Sequence, residues 1–539
     1  METEIAPAPP GSRFTQSRKW LILAVVSLGT LLVFLDNTVV NTAIPTISVE
    51  LEASISELQW VIDAYTLALA GLLLLGGSIG DRFGRKRFMI VGLLVFGAGA
   101  VGAALSQDIT TLIAMRAVQG AGAALILPAT LSIITDVFER GERAKAIGIW
   151  SGVGALGLGL GPAVGGYLVD SLGWASVFWM HIPVIALTLL GLSIVVPESK
   201  DSRKRALDLP GAALGTAGIS VLVYGLIRAG EVGWVSSPTL AAGAIATALL
   251  VAFVVVELRT SEPMLPMQFF KQKDFTGAVI VIGLILFGMM VSFFFLTQFF
   301  QIVQGRSAFQ AGLLIIPTAV TMMIAAPISG VLVQRVGPRW LVLASATAMT
   351  GGLLMLTQVD PATSTQYIIG ALALFGLGGG LGLAPLTDTV MAAVPVNDAG
   401  IGSAVNDVSR ELGAALGIAT IGSVVNSLYR SNLDDTLPAA LPDQVVGVVE
   451  QGVGVAGVVA EQLPTEAGAA LVNAANLAFV DAMTTGFFVS AVFVALAAII
   501  AVTLIPTKMR QVQAEAADEG DMLDGDLQPL GPALNPAPA

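Results

Sequence analysis

Long apolar stretches recur along the whole chain, and each is long enough to cross a lipid bilayer as a helix. A membrane-spanning helix needs roughly 20 predominantly apolar residues. Stretches of this kind begin near Trp20, Gln59, Phe88, Thr111, Ala146, Ser176, Leu209, Pro238, Thr276, Ala308, Trp340, Gln366, Ala399 and Thr484. Only 12% of the residues are charged, whereas soluble domains typically carry about a quarter. The sequence therefore predicts an all-α integral membrane protein with fourteen transmembrane helices.

Basic residues are concentrated on one side of this predicted membrane arrangement. Lysine and arginine accumulate in the cytoplasmic loops of membrane proteins. If both termini are cytoplasmic, the cytoplasmic segments hold most of the 26 basic residues. This asymmetry predicts an even number of spans and a multi-pass protein with both termini in the cytoplasm. The many alanine, glycine and valine residues indicate a bacterial source, so we expect the bacterial cytoplasmic membrane.

Two basic segments occupy matching positions in the two halves of the chain. GSIGDRFGRKR at 77–87 and GVLVQRVGPRW at 330–340 each follow the second span of a half. Their shared glycine and basic positions predict two six-helix bundles related as a parallel repeat. The predicted domains are a cytoplasmic tail at 1–19, an N-terminal six-helix bundle at 20–199, a linker with two inserted helices at 200–260, a C-terminal six-helix bundle at 261–506 and an acidic cytoplasmic tail at 507–539.

An acidic segment at about 431–481 lies within the second bundle and holds no basic residue. We expect it to form a helical hairpin at the outer surface. Packing over the outer mouth is the favoured role. The alternative is that its negative field attracts cationic compounds.

Asp36 and Arg116 are ionisable residues inside apolar spans, where a charge is costly and indicates function. At a rise of ~1.5 Å per residue, Asp36 lies about 24 Å from Trp20 and Arg116 about 10 Å from Ile109. The two side chains therefore lie at similar depths and could meet. Such a pair can load and release a proton, because burial raises and a nearby arginine lowers the affinity of a carboxylate for protons. A permanent ion pair that locks two helices is the alternative.

Span thirteen contains NDVSRELG, which brings three ionisable residues close together. Asp407 and Glu411 share one helix face, and Arg410 neighbours both. They either neutralise one another or form a second protonation and substrate site, and we favour the second interpretation. Asp388, near the inner end of span twelve, is expected to reach the membrane interface.

Span five carries regularly spaced glycines in GIWSGVGALGLGLGPAVGG at 148–166. Residues four apart lie on one helix face, so these glycines form a groove in which a neighbouring helix can approach closely. Pro162 cannot donate a backbone hydrogen bond and weakens the same helix. The spacing is defined by Gly148, Gly157, Gly161, Pro162, Gly165 and Gly166. A tight static helix crossing is the alternative explanation.

Four motifs together resemble those of the fourteen-span drug:proton antiporters of the major facilitator superfamily. They are LDNTVVNTAIP at 35–45, GSIGDRFGRKR at 77–87, LIAMRAVQGAGAA at 112–124 and the glycine spacing at 148–166. They occur in the order typical of that family, and the resemblance extends from Trp20 to Pro506. It implies the major facilitator fold, two six-helix bundles plus two inserted helices, with bundles that rock around a central cavity.

The resemblance also implies roles for individual residues. By it, Asp36 and Arg116 become candidates for proton coupling, in addition to Asp407 and Glu411 of span thirteen. Asp63 would help to receive cations, although its shallow depth also allows a solvated carboxylate. The glycine spacing of span five becomes the antiporter motif. The implied cytoplasmic conformational switch consists of Gly77, Asp81, Arg82, Gly84, Arg85 and Lys86. Without the resemblance, this basic run is explained as an anchor on the cytoplasmic side.

His181, the single histidine, marks a departure from the family pattern. The family often has an arginine-containing segment that ends in asparagine and proline at this point, whereas this chain has Ala175 and His181. The change could alter coupling or only helix packing, and packing is the favoured interpretation.

Aromatic side chains in the spans could line a cavity for flat aromatic cations. The substrate-binding candidates are Asp36, Asp63, Trp60, Tyr65, Phe295, Phe299 and Glu411. Most aromatic residues in apolar spans face lipid or neighbouring helices.

No feature of the sequence indicates catalysis. GGSIG at 76–80 matches a nucleophile pattern, but it lacks the strand-to-helix context and His181 is distant. The sequence contains neither a GxxxxGK[ST] phosphate loop nor a metal-ligand cluster. We therefore expect no enzyme activity, no cofactor and no metal site, and an ion gradient is the expected energy source.

These observations predict a proton-coupled antiporter that exports hydrophobic, cationic, drug-like compounds across the cytoplasmic membrane by alternating access. The alternative within transport is an exporter of an endogenous antibiotic, lipid or metabolite. The alternative from another class is a non-transporting membrane sensor or scaffold. The expected partners are small hydrophobic or cationic substrates, protons and the lipid bilayer, without nucleic acid, and the expected state is a monomer.

Overall fold

The computed structural model describes residues 15–507, except residues 52, 54, 201–207, 262, 264, 437–442 and 451. In this described part the regular structure is helical, and fourteen helices are long and apolar enough to span a membrane. This confirms the number of spans predicted from the apolar stretches. Most of the predicted N-terminal tail and almost all of the predicted acidic tail lie outside the described residues.

The first six spans occupy the N-terminal part of the chain. Their helices are α1 (Gln16–Glu50), α2 (Ile55–Phe83), α3 (Arg85–Ala104), α4 (Ile109–Val137), α5 (Arg140–Leu172), α6 (Ser176–Trp179) and α7 (His181–Val195). The sixth span is broken between α6 and α7. Pro183 explains the break, because its nitrogen cannot donate the hydrogen bond that would link it to Trp179.

Two further spans form the inserted pair, α8 (Leu209–Val232) and α9 (Ser237–Arg259). The side chain of Asp208 caps α8 by accepting a hydrogen bond from the Gly211 N–H at 2.8 Å. Helix α8 packs against α2, where the rings of Trp60 and Tyr224 stack at 6.2 Å.

The last six spans follow a short connecting segment. The helices of this part are α10 (Lys273–Gln298), α11 (Ala308–Val336), α12 (Pro338–Leu356), α13 (Thr365–Ala392), α14 (Ala399–Thr436), α15 (Asp443–Val449), α16 (Val453–Ala460) and α17 (Thr465–Leu504). A π-helical turn at Phe299–Val303 continues α10. Helix α17 begins at Thr465, well before the expected start near Thr484, because its alanine- and leucine-rich first turns favour helix.

The predicted outer hairpin at about 431–481 consists partly of the ends of α14 and α17. Between them lie the short helices α15 and α16. The Tyr429 hydroxyl donates a hydrogen bond to the Val449 carbonyl at 3.1 Å, and Gly468 lies close to Ala460. These contacts hold the two short helices against the long ones.

Buried apolar residues form two large clusters in the described part of the chain. One cluster contains residues of the helices α1 through α5 and of α7. The other contains residues of α8, of the helices α10 through α14 and of α17. This division agrees with two bundles, while the domain boundaries at 199 and 261 stay predictions. We call the end of the helical array that holds the α2–α3 turn, residues 83–85, the basic end, and the opposite end, which holds α15 and α16, the acidic end.

Helix α5 is the main link between the two clusters, and its glycines allow close approach on two faces. A Cβ added at Gly157 would lie 3.0 Å from the Leu31 carbonyl oxygen of α1. On the α11 side, a Cβ at Gly148 would lie 2.6 Å from the Ala326 carbonyl oxygen, and a Cβ at Gly312 would lie 2.9 Å from the Ala163 nitrogen. Helix α5 therefore contacts α1 and α11 backbone to backbone.

Candidate functional site

A buried ion pair joins α1 and α4, and its carboxylate is Asp36. The Arg116 Nη1 atom lies 2.7 Å from Asp36 Oδ2. Asp36 is 0% exposed and Arg116 is 1% exposed. The two side chains meet, as the depth estimate from the sequence allowed. A charge buried in this way persists only when it is paired and hydrogen-bonded.

The remaining contacts of Arg116 come from α2 and from its own helix. Its Nε donates to the Val61 carbonyl at 3.0 Å, and Nη1 also donates to Gln119 Oε1 at 3.1 Å. The guanidinium carbon lies 4.4 Å from the centroid of the Tyr65 ring. Tyr65, a predicted substrate-binding residue, is thus a buried part of the pocket that holds the arginine. The pocket fits the planar, multiply donating guanidinium group.

His181 lies in the same cluster, although the sequence analysis favoured a packing role. Its Nε2 atom lies 3.5 Å from Asp36 Oδ1. The Phe96 ring packs edge-on against the imidazole, with ring centroids 5.5 Å apart. In the sequence, His181 stood out because it is the only histidine and lies two residues before Pro183. The sequence could not reveal that the ring faces α1.

A second charged cluster lies on α14 in the other half of the chain. Asp407 is buried and accepts a hydrogen bond from the Asn406 side chain at 3.2 Å. Arg410 donates to the Thr387 hydroxyl at 3.2 Å. Among the ion pairs of the described residues, none joins Arg410 to Asp407 or to the half-buried Glu411.

Arg410 instead contacts the first half of the chain. Its guanidinium carbon lies 5.4 Å from the centroid of the Trp150 ring on α5. The Trp150 Nε1–H donates to the Thr130 hydroxyl at 3.1 Å, which fixes the plane of the indole. The arginine of the α14 cluster is therefore held by an aromatic side chain of α5, which belongs to the other half.

The aromatic candidates of the second half are packed into its interior. Phe295 packs against Phe479 at 6.3 Å between ring centroids, and Phe299 packs against Phe300 at 5.7 Å. Asp63 and Trp60 are half-buried in the first turns of α2. The structure brings Asp36, Tyr65 and Arg116 together but leaves Phe295 and Phe299 outside this group.

A small apolar crevice lies between α5, α10 and α11, where the two halves face each other. The residues around it are mostly small or flexible. They are Ala155, Leu158, Gly159, Met289, Phe293, Ile315, Thr318, Ala319 and Met322. The sequence analysis did not identify the methionines, although flexible methionine side chains suit surfaces that adapt to several ligands.

Asp81 connects the two halves at the basic end. Its Oδ1 atom lies 2.8 Å from Arg85 Nε. Its Oδ2 atom accepts hydrogen bonds from the backbone N–H groups of Gly400 at 2.7 Å and Ile401 at 3.3 Å. These N–H groups belong to the first turn of α14, where the helix dipole favours a negative charge. Arg85 also donates to the Val396 carbonyl at 2.6 Å, which ties the turn before α14 to α3.

The other predicted switch residues divide into two groups. Gly77 lies against Gly400, and a Cβ at Gly77 would lie 2.8 Å from the Gly400 carbonyl carbon. Gly84 adopts a φ of 121°, a backbone conformation that favours glycine. Lys86 donates its backbone N–H to Glu198 at 3.1 Å, and Arg82 lies over the Phe83 ring at 5.1 Å. Gly77, Asp81 and Arg85 therefore cross between the halves, whereas the described contacts of Arg82 and Lys86 stay within the first.

Asp388 differs from the expectation that it reaches the interface. It is 3% exposed and lies within electrostatic reach of Arg143. The neighbouring residues of α13 are also buried, because this part of the helix packs against α5 and α11. The sequence alone could not show that the inner turns of α13 are enclosed.

Comparisons with known proteins agree with this architecture. A model of the Major Facilitator Superfamily matches residues 26–418. The multidrug efflux pump LfrA of Mycolicibacterium smegmatis is 33% identical over 499 residues, which cover 92% of this chain and 98% of LfrA. The methyl viologen resistance protein SmvA of Salmonella typhimurium is 35% identical over 86% of this chain and 93% of its own length.

Solved structures show the same fold at low sequence identity. The proton:xylose symporter XylE superimposes with a TM-score of 0.58 at 15% identity, over 92% of this chain and 98% of that chain. The family match, the two relatives and the shared fold agree with the resemblance identified from the four sequence motifs. The chain belongs to the major facilitator superfamily.

Proposed function

We propose that this protein exports hydrophobic, cationic, drug-like compounds in exchange for protons. It does so across the bacterial cytoplasmic membrane, by alternating access and as a monomer, with the basic end and both termini in the cytoplasm. The observation that carries the proposal is the buried Asp36–Arg116 ion pair inside two spans. A titratable pair at such a depth suits the binding and release of a proton.

The relatives support the class of cargo. LfrA is named a multidrug efflux pump and SmvA a methyl viologen resistance protein. Methyl viologen is a flat aromatic dication. The half-buried carboxyl group of Glu411 lies within electrostatic reach of Arg410, which in turn lies over the Trp150 ring, and an acidic and aromatic environment of this kind suits a flat cation.

Protonation of Asp36 would change the charge balance of the first half. A neutral carboxyl group no longer attracts Arg116 as an ion, and the guanidinium would then depend on Val61, Gln119 and Tyr65. A proton shifts the population between two conformations only when it binds one of them with higher affinity than the other. The bridge from Asp81 to the start of α14 supplies a contact that one conformation makes and the other breaks.

The α14 cluster would respond to cargo. Asp407 and Glu411 attract Arg410 electrostatically but form no direct ion pair with it among the described residues, so an organic cation can compete with that arginine for the aromatic face and the carboxylates. Binding of the cation favours charged carboxylates, whereas proton binding favours neutral ones. Cation and proton binding would therefore oppose each other, which is the requirement for antiport.

The proposal is tested by ethidium transport in everted membrane vesicles with an imposed proton gradient. The parent is compared with Asp36→Asn and with the double variant Asp407→Asn, Glu411→Gln. We expect gradient-driven uptake in the parent and its loss in Asp36→Asn. Protein abundance must be measured in parallel, since removing one partner of a buried pair can cost about 3–5 kcal/mol.

Asp108→Asn is the matched control for the loss of a carboxylate. Asp108 caps α4 outside the span, and its hydrogen bonds from the Thr111 backbone and hydroxyl hold its pKa below the usual range. Asparagine also caps helices well, so transport should be unchanged. A parent that moves ethidium equally well without a gradient would refute proton-coupled export, and the search would turn to endogenous cargo.

A further inference from the structure

The two oxygens of Asp36 differ in how they are bound. Oδ2 lies 2.7 Å from Arg116 and is committed to the ion pair. Oδ1 has only longer contacts, at 3.5 Å to the Gln119 side-chain nitrogen and at 3.5 Å to His181 Nε2. A proton that reaches Asp36 would therefore bind Oδ1, the oxygen that faces the imidazole.

His181 is a costly residue for a purely packing role. It is fully buried, and its contacts with Asp36 and with the Phe178 backbone fall outside the normal limits of a hydrogen bond among the described residues. A buried polar group without a partner destabilises the folded state, and an apolar side chain against Phe96 would avoid this. In native structures, a buried polar group without a normal hydrogen bond often has a functional role.

The surroundings of His181 disfavour lasting storage of a positive charge. The groups that act on it are Asp36 on α1, Arg116 on α4, the uncharged Phe96 ring on α3 and the backbone of Phe178 on α6. Tyr65 on α2 interacts with Asp36 and Arg116. His181 is also the first residue of α7, where the helix dipole opposes a cation. Asp36 and the Phe178 backbone favour the imidazolium, and of these two groups the Asp36 carboxylate is the one that can accept a proton from the ring.

We propose that His181 shares the transported proton with Asp36 and delivers it to Oδ1. This inference rests on the proposed antiport function and adds a residue to it. In the step, the N–H bond at Nε2 breaks and an O–H bond forms at Oδ1. The imidazole returns to its neutral form, Asp36 becomes neutral, and the ionic attraction to Arg116 ends.

The first experiment measures the pH profile of ethidium uptake for the parent, His181→Gln and His181→Phe in everted vesicles. The luminal pH is varied at a constant gradient. An imidazole ordinarily binds protons at higher pH than a carboxyl group does. We therefore expect half-maximal uptake of both variants to move to lower pH by roughly one unit or more, with ethidium affinity kept within about twofold.

A structural role predicts a different result. In that case uptake would fall by the same factor at every pH, or follow the parental profile once corrected for protein abundance. Either outcome would overturn the proposal. A parent that is insensitive to the gradient would instead refute the proposed antiport function itself, so the two failures are distinguishable.

A second measurement does not depend on whether the His181 variants fold. His181 is the only histidine in the chain, so NMR of ring-labelled histidine in purified parent protein, with a tag free of histidine, reports this residue alone. The ring signal should change with pH over the range in which transport changes, and Asp36→Asn should move that transition. A signal that stays constant across this range would also overturn the proposal.

Discussion

The carboxylate of Asp81 on α2 accepts a 2.7 Å hydrogen bond from the backbone N–H of Gly400 at the start of α14. This bond connects the two halves at the basic end. The negative charge of Asp81 is stabilised by its ion pair with Arg85 and by the dipole at the N-terminus of α14. Because the acceptor is a single carboxylate, its charge controls the strength of the closure.

Asp81→Asn should open the basic end. The amide keeps an acceptor oxygen but loses the charge, which costs about 1–3 kcal/mol for a buried hydrogen bond to a charged group. The chain has no cysteine, so spin labels can be introduced at Arg87→Cys and Val336→Cys without background. We expect a larger population of long label distances in Asp81→Asn than in the parent. Equal distance distributions would rule out a controlling role for this bond.

Gly77→Ala should impair transport, and Gly80→Ala supplies its matched control. An added methyl at Gly77 would meet the Gly400 backbone at 2.8 Å, whereas nothing lies within 4 Å of the same atom at Gly80. Both changes favour helix equally, so the difference isolates the contact between α2 and α14. We expect a loss of about tenfold in ethidium uptake for Gly77→Ala, or ~1.4 kcal/mol, and near-parental uptake for Gly80→Ala. Similar uptake in both variants would contradict the close contact.

Gly161→Ala should push α1 away from α5. The new Cβ would lie 2.8 Å from Thr38 Cβ and 3.2 Å from the Val39 nitrogen. Overpacking of this kind typically costs about 1–3 kcal/mol. Thr38→Ala removes the Thr38 Oγ1 atom, which is the nearest atom to the new Cβ, but keeps Thr38 Cβ, so the double variant should regain part of the lost thermal stability and uptake. Purely additive losses in the double variant would argue against this contact.

Trp150→Leu should weaken binding of cationic cargo. Without the aromatic face, Arg410 is free to pair with Asp407 or Glu411 and to occupy the charges that the cargo needs. The lost cation–π contact is worth about 0.5–2 kcal/mol, so the ethidium Kd should rise by about two- to thirtyfold. Trp150→Phe retains a ring and should have the smaller effect. The measurement is fluorescence titration of purified protein, and an unchanged Kd in Trp150→Leu would count against this competition.

The number of spans was predictable because bilayer thickness fixes the length of an apolar helix. The meeting of Asp36 and Arg116 was predictable as a matter of depth, since the rise per residue is constant along a helix. The contact of His181 with Asp36 was not predictable, because it depends on the rotation of α7 about its axis. Asp388 was misjudged for a related reason, as burial near a helix end depends on which neighbours cover it.

The glycines of α5 also determine how a shift in one half reaches the other. One face of α5 touches the backbone of α1 at Leu31 and Leu35, next to Asp36, and the opposite face touches α11 at Gly312. Contacts between backbones contain no side-chain torsions that could absorb a shift. A translation of α11 would therefore move α5 near Pro162 and, through the glycine contacts, the turn of α1 that carries Asp36. Helix movement and proton binding at Asp36 would then be coupled through the same few turns of helix.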